Sequence, residues 1–168
     1  MRAACELLLK FRAKAMGKLM KIATTAVAAL LIGVAVDAAA QHKPEAVIHY
    51  RQSAMTLIGW NFSPMSAMVK GKREWDATEF ALHADRIAAL APQIQEGFAK
   101  GSDKGAETDA KPDIWKNPDD FQGKVNDFIN ESKALSDVAK NGDEAKMKEQ
   151  FKKLAGACGS CHDKYKAD

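Results

Sequence analysis

Residues 147–165 read Met147-Lys148-Glu149-Gln150-Phe151-Lys152-Lys153-Leu154-Ala155-Gly156-Ala157-Cys158-Gly159-Ser160-Cys161-His162-Asp163-Lys164-Tyr165. Met147, Phe151, Leu154, Ala155, Cys158, Cys161, His162 and Tyr165 recur at three- and four-residue steps, which places them on the inward surface of one α-helix. Within that surface lies Cys-x-x-Cys-His. Two thiols three apart, with an imidazole next to the second, are what covalent haem attachment requires. The thiols add to porphyrin vinyl groups as thioethers, and His162 Nε2 reaches the iron as an axial ligand. The spacing lets all three groups sit along one helical face.

Other uses of a Cys-x-x-Cys pair fit less well. A structural zinc site takes four protein ligands and is often built from two such pairs. Beyond the leader assigned below, Cys158 and Cys161 are the only cysteines, and His42, His49 and His83 are far away in sequence. A thioredoxin-like pair belongs at a helix N-terminus after a strand, within a βαβ pattern. Here the pair lies late in a helical run, and strand-like alternation is absent.

The opposite end of the chain points to export. From Met20 it reads Lys21, an apolar run from Ile22 to Val36, then Ala38-Ala39-Ala40 before Gln41. That is the basic, apolar and small-residue sequence of a secretory signal peptide, with cleavage expected after Ala40. Residues 1–19 add basic residues and Cys5. They read either as an extended basic region or as sequence upstream of a true start at Met20 or Met16. A retained membrane anchor is disfavoured, because the run falls short of the about 20 apolar residues that a span needs. Residues 41–168 are then the mature domain, of single-domain length. The leader holds six of the 25 basic and two of the 22 acidic residues, leaving 19 and 20 and a net charge of −1. The basic character of the whole chain thus belongs to the leader, and the mature domain carries no nucleic-acid footprint. Export brings the thiols to the periplasm, where haem is attached covalently.

Working outward from the motif, three more helical segments emerge. Pro44 and Glu45 open the first, and Val47, Ile48, Arg51, Met55, Ile58, Trp60 and Phe62 follow its apolar face. Pro64 predicts a kink or break near Phe62–Ser63. Met65, Met68 and Val69 resume the face before Gly71. Asp76 with Glu79 reads as a capping box ahead of Phe80, Ala84, Ile87 and Ala91. Pro92 is a second expected kink, and Gly97 and Gly101 mark the exit. Asn117-Pro118-Asp119-Asp120 opens the third segment with a capping side chain, an N-terminal proline and first-turn acids. Phe121, Val125, Phe128, Ile129, Leu135 and Val138 supply its face up to Asn141-Gly142. Asp143 caps the last helix. The connection 99–117, about nineteen residues, is long for a helix–helix link and suggests a crossover or lid, with Ile114 and Trp115 tying it down. Four amphipathic segments of this kind give an all-α fold, an antiparallel four-helix bundle with covalently bound haem c in its core near one end.

The residues quoted so far, with three further stretches, resemble the cytochrome c′ family. The stretches are Tyr50-Arg51-Gln52-Ser53-Ala54-Met55-Thr56-Leu57, Met65 with Val69-Lys70-Gly71, and Ile114-Trp115 before a capped third helix. The likeness spans residues 43–166 and closes on the haem motif with an aromatic, Tyr165, three positions later. It implies one covalently attached haem c per chain, with His162 as the proximal iron ligand. Arg51 is expected beside a propionate, Met55 on the distal face, and Lys166 where the family usually has arginine. Gln52, Trp115 and Tyr165 complete the expected cofactor-binding set. Trp60, Phe62 and Phe128 are further pocket candidates, while His49 and His83 read as polar-face or boundary histidines.

Met55 decides the chemistry. As a thioether it would give a low-spin His162–Met55 electron carrier; as an apolar plug it would leave the iron open to small gases. The family contains both outcomes, and the likeness around Arg51 favours the plug. The resulting expectation is a periplasmic electron-transfer cytochrome whose crowded distal face binds nitric oxide or carbon monoxide, with a nitric oxide-binding protein as the alternative class. The sequence offers no distal histidine or acid–base group for peroxidase-like turnover, so an enzyme is not expected. The resemblance also implies a homodimer through the first two helices, with Trp75, Phe62 or Met68 at its face. The redox partner is unspecified, and no membrane anchor is expected in the mature form.

Overall fold

The computed structural model describes residues 42–167. The expected leader and its cleavage point after Ala40 lie outside the described residues. Within them the chain forms α1 (Pro44–Val69), α2 (Ala77–Leu90), a 3-10 segment (Ala91–Phe98), a single helical turn (Asp113–Lys116), α3 (Pro118–Ala139) and α4 (Glu144–Tyr165). Cross-helix contacts give the directions. Asn61 bonds His83 and Arg51 bonds Gly97; Ser136 bonds Asp85 while Phe121 meets Phe98; Gln150 bonds Glu131 while Tyr165 bonds Asp120, so each helix runs opposite to its predecessor. This is the expected antiparallel four-helix bundle. Among the described residues, no helix is long and apolar enough to cross a membrane.

Local chemistry accounts for most helix ends. Asp76 Oδ1 accepts from the Glu79 N–H at 2.9 Å, and Asp143 Oδ1 accepts from the Lys146 N–H at 3.1 Å. The box at α2 is only half made, because the Glu79 carboxylate turns to Arg73 and His83 instead of back to its cap. Asn117 does not cap α3; its Nδ2 donates backwards to Asp113 O at 3.0 Å. Pro118 supplies the start unaided, since its fixed φ suits the first helical position.

The two prolines act differently. Of the kink or break expected near Phe62–Ser63, a break does not occur: α1 runs continuously past Pro64. One missing N–H costs a single helical bond, and Met65 and Met68, fully buried just beyond it, hold the second half of the helix against the core. At Pro92 the chain does change, tightening into the 3-10 segment. Gly97 in that segment lies so close to α1 that an added Cβ would sit 2.5 Å from Arg51 Cβ.

Two aromatic clusters brace the bundle. Toward one end Phe62 stacks on Phe151 at 4.7 Å, Phe151 meets Phe80 at 5.9 Å, and Phe80 meets Trp75 at 4.8 Å. Toward the other, Phe98 contacts Phe121 at 4.7 Å and Phe121 contacts Tyr165 at 5.4 Å. Each such pair contributes about 0.5–1.5 kcal/mol beyond the area it buries. These contacts correct one expectation. Phe62, Met68 and Trp75, assigned to a dimer face, pack inward. The exposed large apolar side chains of α1 and α2 are Tyr50, Met55, Leu57, Trp60 and Leu82, of which Leu57, Trp60 and Leu82 are the most exposed and do not border the cavity.

Candidate haem site

In the bundle, α1 packs on α2 and the 3-10 segment, α2 on α3, and α3 on α4. The fourth edge is different: α1 and α4 meet through the Phe62–Phe151 stack and part beyond it. The space between them is a cavity of 870 Å³, at the upper end of the about 300–1,000 Å³ usual for sites that enclose a ligand. Met55, Ile58 and Phe62 wall it from α1, Phe121, Val125 and Phe128 from α3, and Cys158, Cys161 and Tyr165 from α4. Residues 106–110 of the long connection close one side.

The thiols of Cys158 and Cys161 are free and half-buried in this wall. Burial pushes the Cys158 thiol up to about 11 and raises Cys161 as well. They are therefore neutral thiols facing an apolar space. A disulfide-exchange centre needs the reverse, a thiolate stabilised by positive surroundings. His162 is exposed yet borders the cavity, so its imidazole is reachable from inside the bundle and from solvent. No group of three or more His, Cys, Asp or Glu side chains among the described residues is arranged to hold a metal ion. An iron here must bring its own equatorial ligands, as a porphyrin does.

Arg51 is the most informative side chain opposite the thiols. It is 3 % exposed. Nη1 donates to Gly97 O at 3.2 Å, Ser102 O at 2.8 Å and Ser102 Oγ at 3.1 Å, and Nη2 donates to Thr108 Oγ1 at 2.8 Å. The guanidinium also lies 5.2 Å from the Phe98 ring centroid and 5.7 Å from that of Trp115. None of the ion pairs among the described residues involves it. Burial lowers its pKa against the opposing charge of Asp103, but an arginine keeps its proton. A buried cation held only by neutral acceptors favours an anion at its side. A haem propionate at the cavity edge would meet that need. The apolar walls, the thiol pair with its imidazole, and this cation together fit haem c.

The long connection fastens the two sides. Gln52 Nε2 donates to Glu107 O at 3.0 Å, beside the Arg51–Thr108 bond. On the α4 side, Lys111 N donates to Tyr165 O at 2.9 Å and Ala167 N to Asp109 O at 2.7 Å. Lys166 Nζ pairs with Asp109 at 3.4 Å. The lysine that stands where arginine was expected thus faces this strap. Tyr165 donates its hydroxyl to Asp120 Oδ2 at 2.5 Å and turns its ring to the cavity.

Arg51, Gln52, Met55, Cys158, Cys161, His162, Tyr165 and Lys166 all border the one cavity, as do Phe62 and Phe128. Two expected residues do not. Trp115 lies behind the wall, its Nε1 donating to Phe98 O and Ala99 O at 3.2 Å, and it acts on the site through Arg51 and Phe98. Trp60 is 75 % exposed on the outer side of α1. His83 is buried between α1 and α2, with Nδ1 against Asn61 Oδ1 at 2.9 Å, away from the cavity. His49 stands exposed at the cavity edge, six residues before Met55 and about 9 Å from it along the helix. The sequence reading missed Phe98, Ile94, Lys124 and residues 106–110 as parts of the wall. Lys124 had left a visible signal, a charge at an inward position between Phe121 and Phe128.

The cytochrome c′ family model matches residues 46–166. A cytochrome c′ of Halomonas halodenitrificans is 38% identical over 131 residues, covering 75% of this chain and 99% of that protein. The solved structure of cytochrome c′ from Shewanella frigidimarina superposes with a TM-score of 0.73 at 42% identity, covering 76% of this chain and 98% of the other. A nitric oxide complex of a leucine-to-alanine mutant of cytochrome c′ from Alcaligenes xylosoxidans gives a TM-score of 0.70 at 32% identity, with 76% and 98% covered. A family model that matches residues 46–166, with coverage of nearly the whole of each relative, shows that this chain belongs to the cytochrome c′ family, haem proteins that carry electrons or bind gases and hold one covalently attached haem c per chain.

Proposed function

We propose that this is a periplasmic cytochrome whose haem is gripped at one face by His162 and covered at the other by Met55 as an uncoordinated plug, leaving room for nitric oxide or carbon monoxide. When bound, the haem supplies a ferric–ferrous iron for electron transfer and for holding a gas. Everything else falls to the chain. Cys158 and Cys161 fix the porphyrin to α4, Arg51 holds a propionate, and α1 and α3 exclude water with apolar side chains. The apolar run at 22–36 and the Ala38–Ala40 site support export.

The observation that carries the reading is the state of the donors near Met55. Gln52 Nε2 is committed to Glu107 O, and Thr56 Oγ1 donates to Gln52 O at 2.8 Å. Arg51 Nη1 is committed to Gly97 and Ser102 and Nη2 gives one bond to Thr108, which turns the guanidinium to the strap and leaves its remaining N–H groups for a propionate. With Met55, Ile58 and Phe62 as neighbours, the α1 wall around Met55 is mainly apolar surface. Such a surface favours neutral gases over anions or a strongly polarised dioxygen. Met55 itself is 37 % exposed, so it has room to yield.

Optical spectra of the ferrous protein with and without carbon monoxide test this. A five-coordinate high-spin ferrous spectrum that shifts with carbon monoxide is expected. Met55→Leu keeps the plug but removes the sulfur, and should leave the spin state unchanged. A low-spin wild-type spectrum that turns high-spin in Met55→Leu contradicts the proposal and establishes His162–Met55 ligation. A homodimer through α1 and α2 belongs to the same reading, now centred on Leu57, Trp60 and Leu82. One cytochrome c′ that superposes with a TM-score of 0.71 at 30% identity shows ligand-controlled dimer dissociation.

A further inference from the structure

The inward stripe of α3 reads Phe121, Lys124, Val125, Phe128, and all four border the cavity. Three are apolar, as a helix facing a porphyrin requires. The fourth is a half-buried ammonium. Lys124 enters none of the ion pairs among the described residues. Of the carboxylates one turn away on its own helix, Asp127 is exposed and Asp120 accepts from Lys164 Nζ at 3.0 Å and from the Tyr165 hydroxyl at 2.5 Å. On α4, Lys166 is matched with Asp109. Lys124 therefore brings a positive charge to the cavity without an ion pair of its own; Asp120 feels that charge but is bonded to Lys164 and Tyr165. Lys124 shares the cavity lining with Cys158, Cys161 and His162 of the attachment motif.

We propose that Lys124 raises the reduction potential of the haem iron by holding an unpaired positive charge at the α3 wall beside Cys161. Reduction adds one electron from the donor to ferric iron and gives ferrous iron, lowering the charge at that point by one. A cation nearby is repelled more by the ferric state, so it stabilises the ferrous one. The interaction is stronger at a half-buried position than across open solvent. Arg51 cannot take this part, because its position at the strap suits pairing with a propionate, whose carboxylate offsets its charge. The inference rests on the haem reading above and adds a determinant of potential that the family likeness did not supply.

The test is a redox titration of the full haem-loaded protein, comparing wild type with Lys124→Gln, Lys124→Met, Lys124→Arg and the outward-facing Lys152→Gln. Lys124→Gln and Lys124→Met are expected to lower the midpoint potential alike, with Lys124→Arg and Lys152→Gln close to wild type. Agreement between Gln and Met separates charge from packing. The drop should persist in 1 M salt, where exposed charges are screened beyond about 3 Å. A Lys124→Gln potential equal to that of Lys152→Gln, or a difference that vanishes in high salt, overturns the inference while leaving the haem reading intact. A wild-type protein whose haem absorption is absent, or is lost from the polypeptide on denaturation, lacks thioether-bound haem and overturns both.

Discussion

The thiol of Cys158 shows how burial and chemistry are linked at single residues. In the haem-free chain its pKa stands at about 11 against an ordinary 9.0, because the apolar wall disfavours the thiolate. Below pH 9 both folded and unfolded chains keep the proton, and the folded state suffers no penalty. Between pH 9 and 11 the unfolded chain releases it and the folded chain does not, so stability falls as pH rises. Two units correspond to about 2–3 kcal/mol. Urea unfolding of the haem-free protein should show that loss between pH 9 and 11. Cys158→Ala should remove most of it, as should haem attachment, which consumes the thiol. At this scale the sequence was most legible where spacing fixes a shared face, as with Cys158, Cys161 and His162, which border the same cavity. It was least legible where a residue's role depends on which way a helix turns. Trp60 and Trp115 are large and apolar, and periodicity alone could not tell that one faces solvent and the other backs Arg51.

Individual helices were legible where a side chain near in sequence completes the geometry. Asp76 and Asp143 cap α2 and α4 as their positions suggest, whereas Asn117 turns back to Asp113 and leaves α3 to Pro118. Thermal or chemical denaturation should separate these cases. Asp76→Ala and Asp143→Ala are each expected to cost about 1 kcal/mol, and Asn117→Ala much less, since no cap is lost. A comparable loss in all three would show that Asn117 does cap α3 in solution. Pro64 and Pro92 have the same local effect and opposite outcomes. Beyond Pro64, Met65 and Met68 reward a continued helix with burial; beyond Pro92, the chain must bring Gly97 against Arg51, and a tighter segment does so. That difference lies in distant contacts, outside the reach of a local pattern.

Across the described residues as a whole, the defining feature is an open edge in an otherwise regular bundle. Three helix interfaces are closed, and the fourth is propped apart by Phe62 and Phe151 at one end and tied by residues 106–111 at the other. Four amphipathic segments were enough to give the bundle, but the strap and its links to Arg51, Gln52 and Tyr165 have no periodicity to betray them. The same limit applied to the outer surface. Phe62, Met68 and Trp75 looked as suitable for a dimer as Leu57, Trp60 and Leu82, and only packing sorts them. If α1 and α2 pair two copies, Trp60→Glu should convert a dimer to a monomer in sedimentation velocity, with helicity unchanged. A variant that stays dimeric would place the interface elsewhere.

The central claim is that the α4 wall of the open edge carries a thioether-bound haem. Peptide mass spectrometry of the chain, made in cells that mature c-type cytochromes and alkylated after denaturation, tests it most directly. The peptide containing Cys158 and Cys161 should bear the mass of one haem, with neither thiol alkylated. Full alkylation of both cysteines without a porphyrin adduct would contradict the account.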